Sequence, residues 1–196
     1  LKSTYSKLLV APGAMRQGIL DRIYREIEQH KLHGNGYVAF KMNQLVDESS
    51  IQALYRASRA GVKVELQVRG TCCIRPGLPG ISENISVTSV VGRFLEHPRI
   101  YYFYNNGDEE VLLGSADLMP RNLDRRVETV FPVEDEQIRV RLLDEVLRIS
   151  MLDNVKAREL QPDGTYKRLA PGDGETPIDS QTWFMERARS SYSASG

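Results

Sequence analysis

The stretch GYVAFKMNQLVDESSIQALYRASRAGVKVELQV (residues 36–68) decides the fold. Two of its runs, GYVAFKM (36–42) and VKVELQV (62–68), are short, rich in valine and aromatic residues, and read as buried strands. Between them Asp47 stands at a helix cap, Ile51, Leu54 and Tyr55 recur at helical spacing, and Gly61 follows as a stop. Strand, helix and strand joined by short connections point to a parallel pair with a crossover helix.

The same alternation extends toward the amino end. KLLVAP (7–12) is an apolar run closed by Pro12 and Gly13, and is expected to be a buried strand. Ile19, Leu20, Ile23, Tyr24 and Ile27 then mark an amphipathic helix over residues 14–29. Beyond residue 68 the pattern changes. RGTCCIRPGLPG (69–80) is an irregular loop, followed by strands at ISVTSVV (85–91), IYYFY (100–104), EVLLGS (110–115) and RVETVFPV (126–133), with NNGDE as a hairpin turn. A long helix is expected over 134–152, its core face carrying Ile138, Leu142, Leu143, Val146, Leu147 and Ile149. A Pro-Asp-Gly turn makes KARELQPDGTYKRLA a small hairpin, and a short helix starting near Asp179 leads to a frayed, serine-rich end. No internal repeat is visible.

Composition bounds the answer from outside. The 196 residues suffice for one domain with a real core, and 41% hydrophobic with 27% charged is ordinary globular composition. No apolar run is long enough to span a bilayer and no leader is visible, so a cytoplasmic setting is expected. The only cysteines, Cys72 and Cys73, are adjacent and lack zinc-site spacing. The chain starts at Leu1 without an initiator methionine, as a fragment of a longer protein or a processed chain would. With 26 basic and 26 acidic residues the net charge is zero, which speaks against a general nucleic-acid binder.

In open α/β sheets, ligands bind beyond the carboxyl ends of the strands. Lys41 and Asn43 close the second strand there, and Arg69 closes the third, with Gly70 allowing close backbone approach. A lysine ending a mostly buried strand needs an acid or a bound anion, and two cations converging without an acid favour an anion. The alternative is a lysine snorkelling from a strand end. In RFLEHPRIYYFY (93–104), His97 sits at a strand mouth, where an imidazole can hold phosphate or move a proton; the alternative is a loop histidine solvated at a strand start. His30 and His33, at a helix end and in the following loop, read as surface groups favoured by the helix dipole. In GSADLMPRNLDRR (114–126), Asp117 can orient an imidazole or cation, and Arg121 and Asn122 supply donors; a capped turn accounts for them equally well.

These runs carry a resemblance. His97-x-Arg99, a β-hairpin and then Gly114-Ser115-Ala116-Asp117 resemble one half of the phospholipase D superfamily signature, with Arg99 at the usual lysine and Asp117 at the usual asparagine. The runs KMNQLVD, LYRASRAGVKVELQVRG, CCIRPGLPG, VGRFLEHPRIYYF and LGSADLMPRNLDRRVETVFPV are similar to those of the carboxy-terminal catalytic region of polyphosphate kinases, over roughly residues 5–165. The resemblance implies an α/β fold with a phospholipase D-like mixed sheet flanked by helices, over residues 1–160. It leaves 161–196 as a hairpin, short helix and disordered end.

It further implies reversible transfer of the terminal phosphate of ATP to inorganic polyphosphate through a phosphohistidine, with magnesium, in a site between two phospholipase D-like domains. The phosphorylated histidine and the magnesium-binding arginines belong to the preceding domain, so the chain alone is expected to turn over little. The implied partners are ATP or ADP, polyphosphate, the preceding domains of the same polypeptide and further copies of it. His97 corresponds to the second catalytic histidine and Arg69 to the arginine that binds nucleotide phosphates. Lys41, Asn43, Asp117, Arg121 and Asn122 come from sheet-edge reasoning alone. The rival readings are a dimeric phospholipase D-type phosphodiesterase, and a non-catalytic oligomerisation module that would expose Tyr101, Tyr102 and Phe103.

Overall fold

The computed structural model describes residues 5–193. The serine-rich end expected at the carboxyl terminus falls partly on 194–196, outside the described residues. A nine-stranded mixed sheet runs in the order β1 (Leu9–Ala11), β7 (Glu128–Pro132), β6 (Glu110–Gly114), β5 (Ile100–Phe103), β2 (Tyr37–Met42), β3 (Lys63–Val68), β4 (Ile85–Val90), β8 (Ala157–Leu160) and β9 (Tyr166–Arg168). The parallel core expected from residues 36–68 is there: Tyr37 pairs with Lys63, Lys41 with Gln67, and Val64 of β3 with Ile85 of β4. The remaining pairings are antiparallel.

β1 departs from the expectation. It lies at the sheet margin against β7, antiparallel, with Leu9 opposite Val130, so it forms no parallel unit with β2. An apolar run reports that a strand is buried but not which strand lies beside it.

Two helices cover one face. α1 (Ala14–His33) buries Met15, Ile19, Leu20, Ile23 and Ile27, and α2 (Glu48–Arg59) buries Ile51, Ala53, Leu54 and Ala57. They pack on Val38, Phe40, Val64, Leu66, Tyr101, Phe103 and Leu112 from the alternate positions of the central strands. Asp47 caps α2 as expected, accepting from the Ser50 backbone N–H at 3.0 Å. α1 runs about one turn beyond the expected end at residue 29 and stops at Gly34, whose φ of 70° gives the left-handed cap. His30 is half-buried and its Nδ1 accepts the Gly36 N–H at 3.0 Å, so it is a structural group; His33 ends the helix and is exposed.

The opposite face is covered by α3 (Glu136–Arg141), which runs on through a π-helical stretch (Leu142–Leu147) into α4 (Arg148–Met151). Leu142, Leu143, Val146, Leu147 and Met151 pack there on Ala39, Ile100, Tyr102 and Val111. Ile138 does not join them. It lies in the first turn, where its N–H is used by the Asp135 cap, and it is exposed. The expected hairpin forms as β8 and β9, continuous with the main sheet through β4. α5 (Ser180–Ser193) closes the described chain. Because β5 is central and covered on both faces, Tyr101, Tyr102 and Phe103 are all buried, and the exposed aromatic patch of the oligomerisation reading does not exist. No helix among the described residues is long and apolar enough to cross a membrane.

Candidate functional site

Lys41 occupies the last turn of the pleat in β2, on the face covered by α4. Its register partner Gln67 offers the side-chain oxygen to the ammonium, and the Gln67 amide donates to the Ser150 carbonyl at 2.6 Å. The Lys41 ammonium also forms a 2.7 Å ion pair with Glu96. Expecting two cations without an acid was therefore wrong for Lys41: its acid stands one residue before His97, distant in sequence, and the lysine is buried rather than snorkelling. Burial lowers the Lys41 pKa from its ordinary value, and the Glu96 carboxylate opposes that shift.

The other residues beyond the strand ends are joined by a continuous path. Arg69 donates from Nε to the Asn43 side-chain oxygen at 2.9 Å. The Asn43 backbone N–H donates to Asp117 Oδ1 at 2.8 Å. Asp117 accepts from Arg99 at 3.3 Å (Nε) and 3.1 Å (Nη2), and Arg99 Nη1 donates to the His97 carbonyl at 2.9 Å. Arg69 is half-buried and takes no other side-chain partner among the described residues; its backbone carbonyl accepts from Ser89. Asn43 is buried, yet its Nδ2 has no hydrogen-bond partner among the described residues. Lys41, Asn43, Gln67, Arg69, Glu96 and Pro98 line one narrow cleft. His97 itself is exposed and does not line the cleft, although its neighbours Glu96 and Pro98 do.

Arg121 and Asn122 are placed elsewhere. They lie in a π-helical turn (Arg121–Arg125), and the buried Asn122 amide donates to Glu128 at 2.6 Å. Glu128 also accepts from Ser115, so Asn122 closes a small polar cluster between the turn and β7. Arg121 is exposed, and neither residue lines the cleft. Among the described residues, no group of three or more His, Cys, Asp or Glu side chains comes together as a metal site.

A family model described as polyphosphate kinase C-terminal domain 2 matches residues 8–181. The chain belongs to the polyphosphate kinase family. It is 50% identical over 188 residues to the polyphosphate kinase of Staphylococcus haemolyticus, covering 96% of this chain and 26% of that protein. It is 51% identical over 183 residues to that of Thermosynechococcus vestitus, covering 93% and 25%. The crystal structure of polyphosphate kinase from Porphyromonas gingivalis superposes with a TM-score of 0.88 at 42% identity, over 95% of this chain and 28% of that one. The chain thus spans about a quarter of the length of these relatives. The fold alone is shared with Nuc of Salmonella typhimurium, a phospholipase D family member, at a TM-score of 0.57 and 13% identity over 79% of this chain and 97% of that one.

Within this polyphosphate kinase domain, sequence reasoning missed Glu96, Gln67 and the joining role of Arg99. Gln67 was findable, since it stands as far into the third strand as Lys41 does into the second. Glu96 was not, because nothing in its local pattern tells an ion-paired carboxylate from a solvated one.

Proposed function

We propose that this chain forms one wall of a phosphoryl-transfer site that moves the terminal phosphate between ATP and inorganic polyphosphate in both directions. The observation that supports it is the path from the His97 backbone carbonyl through Arg99, Asp117 and Asn43 to Arg69, which holds the segment carrying His97 beside the strand-end cleft that Arg69 lines. Among the described residues, the terminal nitrogens of Arg69 and the Nδ2 of Asn43 are donors without protein acceptors there, as a site for non-bridging phosphate oxygens requires.

In this reading a histidine of the preceding domain attacks the γ-phosphorus of ATP. A P–N bond forms as the P–O bond to ADP breaks, and the bonding electrons leave on the ADP oxygen. Arg69 aligns the phosphates and offsets their charge, which is most of what phosphoryl transfer asks of a protein. His97, as an imidazolium, donates to the leaving oxygen. A terminal oxygen of polyphosphate then attacks the phosphohistidine and releases the partner histidine. Lys41 enters through Glu96, as an anchor for the segment that presents His97. The described carboxylates and histidines do not fit a magnesium ion, which belongs with the nucleotide and the preceding domain. Assembly of the full polypeptide as a homo-oligomer and a cytoplasmic setting are part of the same proposal.

The phosphodiesterase reading is weaker on geometry. Arg99, at the basic position of that signature, is turned to Asp117 and the His97 carbonyl rather than to the cleft. The test is labelling of the full polypeptide with γ-labelled ATP. An acid-labile phosphate is expected on a histidine outside this chain, formed at least tenfold more slowly in His97→Ala. Peptide mapping that puts the label on His97 itself overturns the division of roles.

A further inference from the structure

α5 reaches back to the segment that carries His97 through one side chain. The buried carboxamide of Gln181 accepts the Phe94 N–H at 2.9 Å and donates to the Phe94 carbonyl at 2.9 Å and to Glu96 Oε1 at 2.8 Å. It thereby pairs with both backbone groups of Phe94, as a neighbouring strand would, and holds the carboxylate that grips Lys41. Gln181 is itself fixed at the start of its helix. Asp153, 1% exposed, accepts the Ser180 N–H at 2.8 Å and the Ser180 hydroxyl at 2.7 Å. The other oxygen of Asp153 accepts the N–H groups of Val155, Lys156 and Ala157 at the entry to β8. The segment from Val91 to Leu95 is otherwise exposed and has no regular secondary structure, so little else defines its course.

We infer that Gln181 is a positioning residue: α5 clamps segment 94–96 through its carboxamide, and so sets where His97 is presented. The inference rests on the proposed role of His97, and it assigns the carboxy-terminal helix a part in the reaction. A second observation gives a way to disturb the clamp without removing it. A Cβ at Gly92 would lie 2.5 Å from Gln181 Oε1 and 2.9 Å from its Cδ, so Gly92→Ala pushes the carboxamide aside.

The test uses Gln181→Leu and Gly92→Ala in the full polypeptide, the second serving alone if the first does not fold. Amide exchange over residues 92–99 should quicken at least tenfold, because the Phe94 N–H loses its acceptor. The kcat for phosphoryl transfer should fall roughly tenfold with KM within twofold, the effect of a misplaced group rather than lost binding. In a His97→Ala background the same change should lower kcat no further, since residues acting through one another are not additive. Unchanged exchange, an unchanged kcat where His97→Ala lowers it, or an equal loss in the His97→Ala background overturns the inference. Faster exchange with a fully active His97→Ala would leave the clamp standing and overturn the proposed function instead.

Discussion

Arg99 and Asp117 meet at the carboxyl end of the central strands, Nη2 3.1 Å from Oδ2 and Nε 3.3 Å from Oδ1. The same carboxylate receives the Asn43 N–H and the same guanidinium holds the His97 carbonyl. The pair therefore joins the loop after β6 to the ends of β2 and of the His97 segment.

Removing one half of this joint leaves the other buried without its charge partner. Arg99→Ala is expected to destabilise the fold by about 3 kcal/mol, since the carboxylate keeps only a backbone donor. Asp117→Asn keeps a carbonyl for the Asn43 N–H and should cost about half as much. Urea denaturation of both variants checks the order. A larger loss for Asp117→Asn than for Arg99→Ala contradicts the account.

Arg69 is held by one bond, so the fold does not depend on it. Arg69→Ala is expected to weaken polyphosphate binding by roughly tenfold, the scale of one charge-assisted contact. The melting temperature should move by no more than about 2 °C. Titration calorimetry beside a thermal melt reads both; a large drop in melting temperature with binding intact would make Arg69 a structural residue.

Alkaline pH should unfold the domain from within. Burial raises the pKa of Tyr101, Tyr102 and Tyr37, with Glu109 adding to the shift at Tyr102 and Glu65 at Tyr37. These hydroxyls hold their protons more tightly folded than unfolded, so their contribution is complete below the unfolded value of about 10 and is lost progressively as pH rises from there through the higher folded values. The lowered Lys41 pKa acts below the ordinary lysine value of 10.5, where the unfolded chain binds the extra proton, so it does not offset the tyrosine loss at higher pH. Tyrosinate absorbance and the loss of circular dichroism should rise together above pH 10. Ionisation of all tyrosines in a still-folded chain would refute this.

The adjacent cysteines should differ in reactivity. Cys73 is exposed, while burial pushes the Cys72 thiol up to about 11. At pH 8 only about a thousandth of Cys72 is thiolate, so iodoacetamide should label Cys73 first and Cys72 far more slowly. Equal labelling in the folded chain would show that Cys72 is not shielded.

Much of this architecture was legible because the decisive signals are local. The short apolar runs at 37–42 and 63–68, with the Asp47 cap and Gly61 between them, dictate a parallel pair, whatever surrounds it. What stayed hidden depends on partners distant in sequence. β1 goes to the far margin because its neighbour β7 is chosen by sheet closure over α1, not by its own three residues. α1 continues past Ile27 because Glu28, Gln29 and His30 do not oppose a helix, and nothing stops it before Gly34. Lys41 was correctly marked as needing a partner; that the partner is Glu96 follows from where β5 enters beside β2. Arg121 and Asn122 show the converse, since donors grouped in sequence are separated once one of them turns inward to Glu128.

The sheet ends in β9, whose three residues Tyr166, Lys167 and Arg168 are all exposed. Two of them are cations, so a second copy laid alongside that margin would set like charges against each other. Recruitment of further strands there is opposed by repulsion, and the open side of the sheet is guarded against runaway stacking.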